Sequence, residues 1–252
     1  MKRIYLLISL CKFSTLLDLI ANRKYVGTWS GEVYIDHKPR GPLFSRETAY
    51  VLQDDVHIST LTVEETLLYA AWTRLEEGTT LETRQERINQ LLEMMGLSHV
   101  RNSLIGDANT KGISGGQLKR LSIAVEIVGL PKLIFLDEPT SGLDSSISLE
   151  VMSAVKNITK GQRTCMSTIH QPSKDVFALF DKLCLVAGGR MIYYGPTSEV
   201  TNFFSSPKLG YKWEGGFKNP AEFAVEISSG QRIPEDDTCL LYTSPSPRDA
   251  HE

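Results

Sequence analysis

No glycine stands before Gly27, so the start of the chain holds no glycine-rich loop of the kind that wraps its backbone around phosphates. Cysteine is confined to Cys11, Cys165, Cys184 and Cys239, too widely spaced for a CxxC pair. That spacing argues against zinc-ribbon and redox motifs and against a disulfide framework, and makes a reducing compartment the expectation. Charge of one sign is lacking as well. With 27 basic and 30 acidic residues the net charge is −3, which leaves no global electrostatic case for nucleic acid. Apolar runs reach only a handful of residues, far short of the roughly 20 that a membrane-spanning helix needs. Met1-Lys2-Arg3 followed by Ile4 to Cys11 has the charge and short apolar run of a secretory signal, but no small-x-small cleavage site. What remains is globular composition: 252 residues, 41% apolar and 23% charged, enough for one large α/β domain or two small ones.

Periodicity then divides the chain. Thr15 to Ala21 reads as a short helix, while Gly31 to Asp36 and Thr48 to Gln53 read as strands. Thr62-Val63-Glu64-Glu65 fits a capping box, so a helix starts there with Leu67 and Leu68 on its apolar face. Ile88, Leu91, Leu92 and Met95 form a helical stripe closed by Gly96, and Leu118, Leu121, Val125 and Val128 form another that Pro131 ends. Leu133-Ile134-Phe135-Leu136 does not alternate, which suits a parallel strand covered on both faces. A helix on Ile147, Val151, Val155 and Ile158, capped by Asp144 or Ser145, leads to a second buried strand, Thr164 to Ile169. Gly188-Gly189 between Leu183 to Val186 and Met191 to Tyr194 predicts a hairpin. No internal repeat is visible.

Four segments carry chemistry. Ser114-Gly115-Gly116-Gln117 precedes a strong helix, where free amides, the absence of Cβ atoms and the helix dipole favour an anion such as phosphate. The plain alternative is an ordinary N-cap and turn. Asp137 and Glu138 end the buried strand, where open α/β sheets bind ligands; the aspartate suits Mg²⁺ held through water, and the glutamate suits polarising an attacking water. Thr140-Ser141-Gly142-Leu143-Asp144 is a polar turn into a helix, and the next strand ends at His170, which could contact a terminal phosphate. Gln53, followed by Asp54-Asp55, ends an earlier strand. Each segment alone is compatible with a surface turn.

Together, in this order and spacing, they resemble the nucleotide-binding domain of ATP-binding-cassette (ABC) transporters. Ser114 to Gln117 resembles the family signature, Leu133 to Glu138 the Walker B strand, Ser141 to Asp144 the D-loop, His170 the H-loop and Gln53 the Q-loop. Ser167 to Ser173, Tyr193-Tyr194-Gly195-Pro196 and Asn219-Pro220-Ala221-Glu222-Phe223 resemble the G subfamily of white-type and pleiotropic-drug-type exporters, and the similarity covers about 14–230. The resemblance implies a P-loop-NTPase-type α/β fold, with a mostly parallel sheet and an inserted helical subdomain. ATP and Mg²⁺ would be the cofactors. The implied catalytic residues are Glu138, as general base, and His170, which would sense the γ-phosphate. Nucleotide contacts would come from Ser14, Thr15, Gln53, Ser114, Gly115, Gly116, Gln117 and Asp144, and Mg²⁺ contacts from Asp137, Gln53 and Ser14. It further implies a second nucleotide-binding domain as partner, identical or not, a transmembrane domain C-terminal in the same chain, and a place on the cytoplasmic face of a membrane. Soluble ABC proteins of translation or repair are disfavoured by the G-type segments after His170.

The departures lie at the two ends. Aligned on Leu16-Leu17-Asp18, Ser14 matches the magnesium-binding hydroxyl of the P-loop, but Phe13 stands at the lysine position and Lys12 at the preceding glycine. The expectation is that 1–13 is foreign to the domain, from a misread gene start, or else that the protein is a degenerate partner subunit. On the first view the N-terminal strand and P-loop are missing, the sheet is incomplete, and the membrane helices are absent because the chain stops early. Cys239 to Asp249 resembles the translation of a transposase adapter used in sequencing-library preparation, so 231–252 is expected to be an artefactual tail. The expected units are 14–60 with the Q-loop, 61–130 as the helical subdomain, and 131–230 as the second part of the core.

Overall fold

The computed structural model describes residues 3–8, 14–35, 37–42, 44–107, 110–160, 163–215 and 218–233. Its centre is a six-stranded sheet. In chain order the strands are β1 (Arg3–Ile8), β4 (Thr48–Val51), β5 (Leu133–Leu136), β6 (Thr164–Thr168), β7 (Lys182–Ala187) and β8 (Arg190–Pro196). They lie side by side as β4-β5-β6-β1-β7-β8, all parallel except β8. A small ribbon, β2 (Tyr34–Ile35) with β3 (Lys38–Pro39), stands apart from the sheet. It is shorter than the strand expected over Gly31 to Asp36.

The gap expected in the sheet is filled. Arg3 to Leu7 pair with Thr164 to Thr168 on one side, and Tyr5 to Ile8 pair with Lys182 to Leu185 on the other. Ile4 and Leu6 are completely buried and Leu7 is nearly so. The physical reason is that a short non-alternating apolar run suits a strand covered on both faces as well as it suits a signal segment, and composition alone does not separate the two. Residues 9–13, which hold Cys11 and the two departures at Lys12 and Phe13, lie outside the described residues, as do 234–252 with Cys239.

Helices cover both faces of the sheet. On one face Ile4, Leu6, Ile134, Leu136, Cys165, Leu183 and Leu185 join a large core with α2 (Val63–Arg74), α3 (Leu81–Met94), α4 (Gly115–Ile127), α5 (Ser145–Thr159), α6 (Lys174–Ala178), α7 (Val200–Phe204) and α8 (Pro220–Ser228). On the other, Leu7, Tyr50 and Phe135 pack with Leu17 of α1 (Ser14–Ile20), with Ala21 just past its end, and with Phe44. Alternate residues of β5 thus serve different cores, which is why the strand reads as a continuous apolar run. Gly188 and Gly189, both with positive φ, turn β7 into β8 as the hairpin signal requires.

The helical unit between β4 and β5 is held by its ends. Thr62 caps α2 with the reciprocal Glu65 contact expected of a capping box. Arg87 of α3 donates to the Ile127 and Val128 carbonyls at 2.8 and 3.2 Å, closing the C-terminus of α4 with a buried cation whose pKa burial lowers to about 10. Arg120 of α4 returns the favour to α3 at the Met95 carbonyl, 3.1 Å away. These clamps set where α4 begins relative to the sheet.

Candidate functional site

The carboxyl ends of β4, β5 and β6 come together at one edge of the sheet, where parallel α/β sheets expose their strand tips. Asp137 leaves β5 buried. Its amide donates to the Val51 carbonyl at 3.0 Å, and its Oδ1 accepts from Thr168 Oγ1 at 2.8 Å. Tyr50 OH lies 3.4 Å from its Oδ2 and donates to Asp18 Oδ1 of α1 at 2.8 Å. The phenol therefore sits between two carboxylates. Burial, the hydrogen bond to Asp18 and the charge of Asp137 all push its pKa upward, so it stays a donor.

Thr168 does a second thing. Its Oγ1 also accepts from the Glu138 amide at 2.9 Å, so one hydroxyl at the end of β6 fixes both acids at the end of β5. Glu138 is held in the left-handed region with φ of 44°, and Gln171, next to His170 at the tip of β6, has φ of 53°. Non-glycine residues occupy that region only when surrounding contacts hold them there, and such positions concentrate at functional loops.

The loop after Glu138 folds back on itself, with the Ser141 amide on the Glu138 carbonyl at 3.0 Å. Asp144 ends it by capping α5, accepting from the Ser146 and Ile147 amides at 2.9 Å each. Gln53 is exposed, and its Nε2 donates to Ser141 Oγ at 3.3 Å. His170 is exposed too and borders a cavity of about 130 Å³ with Thr140, Leu143 and Gln171. Ser14 opens α1 and Thr15 follows it, exposed, in the first turn. Asp18, one turn on, links that helix to the acids through Tyr50.

Ser114 and Gln117 form a capping box at the start of α4, the Gln117 side chain reaching on to His99 at 3.2 Å. The Gly115 and Gly116 amides lie outside that box, at the open end of the helix. The two glycines differ in their surroundings. A Cβ on Gly115 would have room, 3.7 Å from Leu143, whereas one on Gly116 would strike Ile147 Cγ2 at 2.3 Å. Gly116 thus serves the close packing of α4 on α5, a reason that the anion reading of the sequence did not contain. Through Leu143 and Ile147 the head of α4 adjoins the loop that follows the strand-tip acids.

Thr168, Tyr50, Asp18 and a buried lysine of α4, Lys119, are additions to the residues singled out from sequence. Thr168 is one of three hydroxyl residues in its strand, with Thr164 and Ser167, so nothing in the sequence singles it out. Lys119 was marked by a cation one residue past Leu118 on an apolar helix face.

An all-oxygen set of carboxylate and amide groups at the strand tips fits a hard cation such as Mg²⁺. Among the described residues there is no cluster of three or more His, Cys, Asp or Glu that could hold a metal.

Comparison with known proteins agrees with this arrangement. The ABC transporter family pattern matches residues 13–141, and the ABC-2 type transporter pattern matches 170–241. The second match falls on α6, β7, β8, α7 and α8, and among the described residues no helix is long and apolar enough to cross a membrane. The chain is 42% identical over 217 residues to the broad substrate specificity ATP-binding cassette transporter ABCG2 of Sus scrofa, covering 86% of this chain and 33% of that one. It is 40% identical over 225 residues to ABC transporter G family member 24 of Dictyostelium discoideum, covering 85% and 19%. To ABC transporter G family member 43 of Arabidopsis thaliana it is 42% identical over 226 residues, covering 86% and 16%. The chain spans a third or less of the length of these relatives. With a parallel sheet whose tips carry Gln53, Asp137, Glu138 and His170, and a family pattern that runs across half its length, the chain belongs to the ABC transporter family, in its G subfamily.

Proposed function

We propose that this chain is the ATP-binding and hydrolysing domain of a G-type exporter that moves lipids or other hydrophobic small molecules across a membrane, and that it works against a second domain of the same kind. The observation that carries the reading is the joint anchoring of Asp137 and Glu138 by Thr168, two residues before His170, beside the loop that leads to the head of α4. Asp137, with Gln53 and Ser14, would hold Mg²⁺, which supplies charge neutralisation at the phosphates. Glu138 would take the proton of the attacking water, a role supported by the hold of Thr168 on its backbone amide. His170 would contact the terminal phosphate. Ser114, Gly115 and Gly116 would face a nucleotide held by the partner, with the Gly115 and Gly116 amides directed at its phosphates. Transport is in keeping with the name of the Sus scrofa relative, a broad substrate specificity ATP-binding cassette transporter.

A second reading is favoured by one feature of the sequence. Lys12 and Phe13 align with the glycine and lysine of a P-loop, so the sequence there lacks the residue types of a phosphate cradle. Each lost charge-assisted contact is worth on the order of 1.5–3 kcal/mol, and losing three weakens binding by at least three orders of magnitude. On this reading the chain lends its signature face to a nucleotide bound by an active partner. Titration calorimetry of the chain with Mg-ATP separates the two. Saturation only above about 1 mM supports the lending role, and micromolar affinity overturns it in favour of an independent site.

A further inference from the structure

The segment leaving β4 is polar and lacks apolar anchors: Leu52, Val56 and Ile58 are 51%, 85% and 64% exposed. A stretch so poorly buried opens readily unless something holds it. Two side chains of α4 do so. Lys119, only 3% exposed, donates to the Gln53 carbonyl at 2.7 Å, lies 3.5 Å from the Leu52 carbonyl, and pairs with Asp55 Oδ1 at 2.9 Å. One turn further along the helix, Ser122 Oγ and His57 Nε2 are paired at 2.7 Å. A buried ammonium is tolerated where acceptors and an opposite charge replace its lost water, and here two carbonyls and one carboxylate, ion-paired without a hydrogen bond, all come from one loop. On the far side of that loop, Gln53 Nε2 donates to Ser141 Oγ.

We propose that Lys119 is a positioning residue that makes the Gln53 loop and the signature helix a single moving body. Displacement of the loop tip is then delivered along one stiff helix to Ser114 and Gly115 at its head. Besides Lys119 and the Ser122–His57 pair, a link among the described residues runs through backbone bonds of Ser59 and Leu61 to Gly106 and Ile105, and of Ile113 to Ile105, and it bypasses residues 52–57 altogether. The significance of the coupling for a nucleotide cycle rests on the roles proposed above for Gln53 and Ser114. The coupling itself does not, so its test uses no nucleotide.

The test is amide hydrogen exchange by NMR on the whole chain. Lys119→Met is expected to speed exchange of the amides of residues 53–57 at least tenfold while leaving α3 and α5 within twofold. Lys119→Arg, whose guanidinium can donate to the same carbonyls, is expected to stay within about threefold of the parent. Coupling is read from a cycle. Asp54→Pro, which displaces the exposed tip, should change exchange at Gln117 and Leu118, the first bonded amides of α4, at least threefold in the parent. In the Lys119→Met background the change should be less than 1.5-fold. Equal effects in both backgrounds, or unchanged exchange of residues 53–57 in Lys119→Met, overturn the proposal. Should Lys119→Met fail to fold, Asp55→Asn takes its place in the cycle under the same criteria.

Discussion

Thr168 carries more of the site than its size suggests. Its hydroxyl donates to Asp137 and accepts from the Glu138 amide, so removing it strands a buried carboxylate oxygen and a backbone donor together. Thr168→Val keeps the shape and removes only the polar function, and it should cost about 1–3 kcal/mol of stability, while Thr168→Ser should cost less than about 1 kcal/mol. Urea denaturation of the two variants decides the matter; equal stability would mean that the hydroxyl does not hold the acids. The same residue shows a limit of sequence reading. The acids were legible because two carboxylates at the end of an apolar run are conspicuous, but the hydroxyl that orients them sits on another strand, and only the register of β5 against β6 brings it near.

At the scale of elements, local signals read well and buried charge read poorly. The Thr62–Glu65 box, the Asp144 cap and the Gly188-Gly189 turn each depend on residues a few positions apart, and each formed as expected. The Gln53 loop did not read, because Asp54-Asp55 looks like a solvated turn until Lys119 is placed beneath it. The same contact region sets a pH response. Burial lowers the pKa of His57 below its ordinary value, Lys119 adds to the effect, and Asp55 and Glu126 oppose it. The unfolded chain, with histidine at about 6.5, therefore takes up the proton first as pH falls. His57 favours the folded state fully above that value and progressively less as pH drops toward its folded value. The urea midpoint should decline between pH 7.5 and 5.5, and His57→Gln should flatten that decline. A decline that is unchanged in His57→Gln would assign it elsewhere. Below about 4.5 a separate loss is expected from Glu64, whose carboxyl the Arg101 hydrogen bond holds low.

On the scale of the whole molecule, the repeating order of buried strand and amphipathic helix was legible and the fold class followed from the family resemblance, but the central strand did not. Arg3–Ile8 carries a short apolar run after a basic start, which looks like a signal segment in all but the missing cleavage site and nowhere announces a strand; its place between β6 and β7 is a property of the completed sheet. Leu6 is completely buried there, so Leu6→Asp puts an unpaired carboxylate into the large core. It should cost about 3–5 kcal/mol, enough to abolish cooperative unfolding in a marginal domain. A variant within about 0.5 kcal/mol of the parent by chemical denaturation would remove the segment from the sheet.

The central claim is that strand-tip acids and the head of α4 serve a triphosphate shared with a second domain. Sedimentation velocity tests it most directly, with this chain mixed with the nucleotide-binding domain of a G-type relative that has a complete P-loop. The account predicts a one-to-one complex with Mg-ATP that is absent with Mg-ADP. It also predicts loss of that complex in Gly115→Asp, where the side chain has room to fit and its charge repels phosphate. A chain that sediments alone in Mg-ATP, or a complex indifferent to both nucleotide and Gly115→Asp, would contradict it.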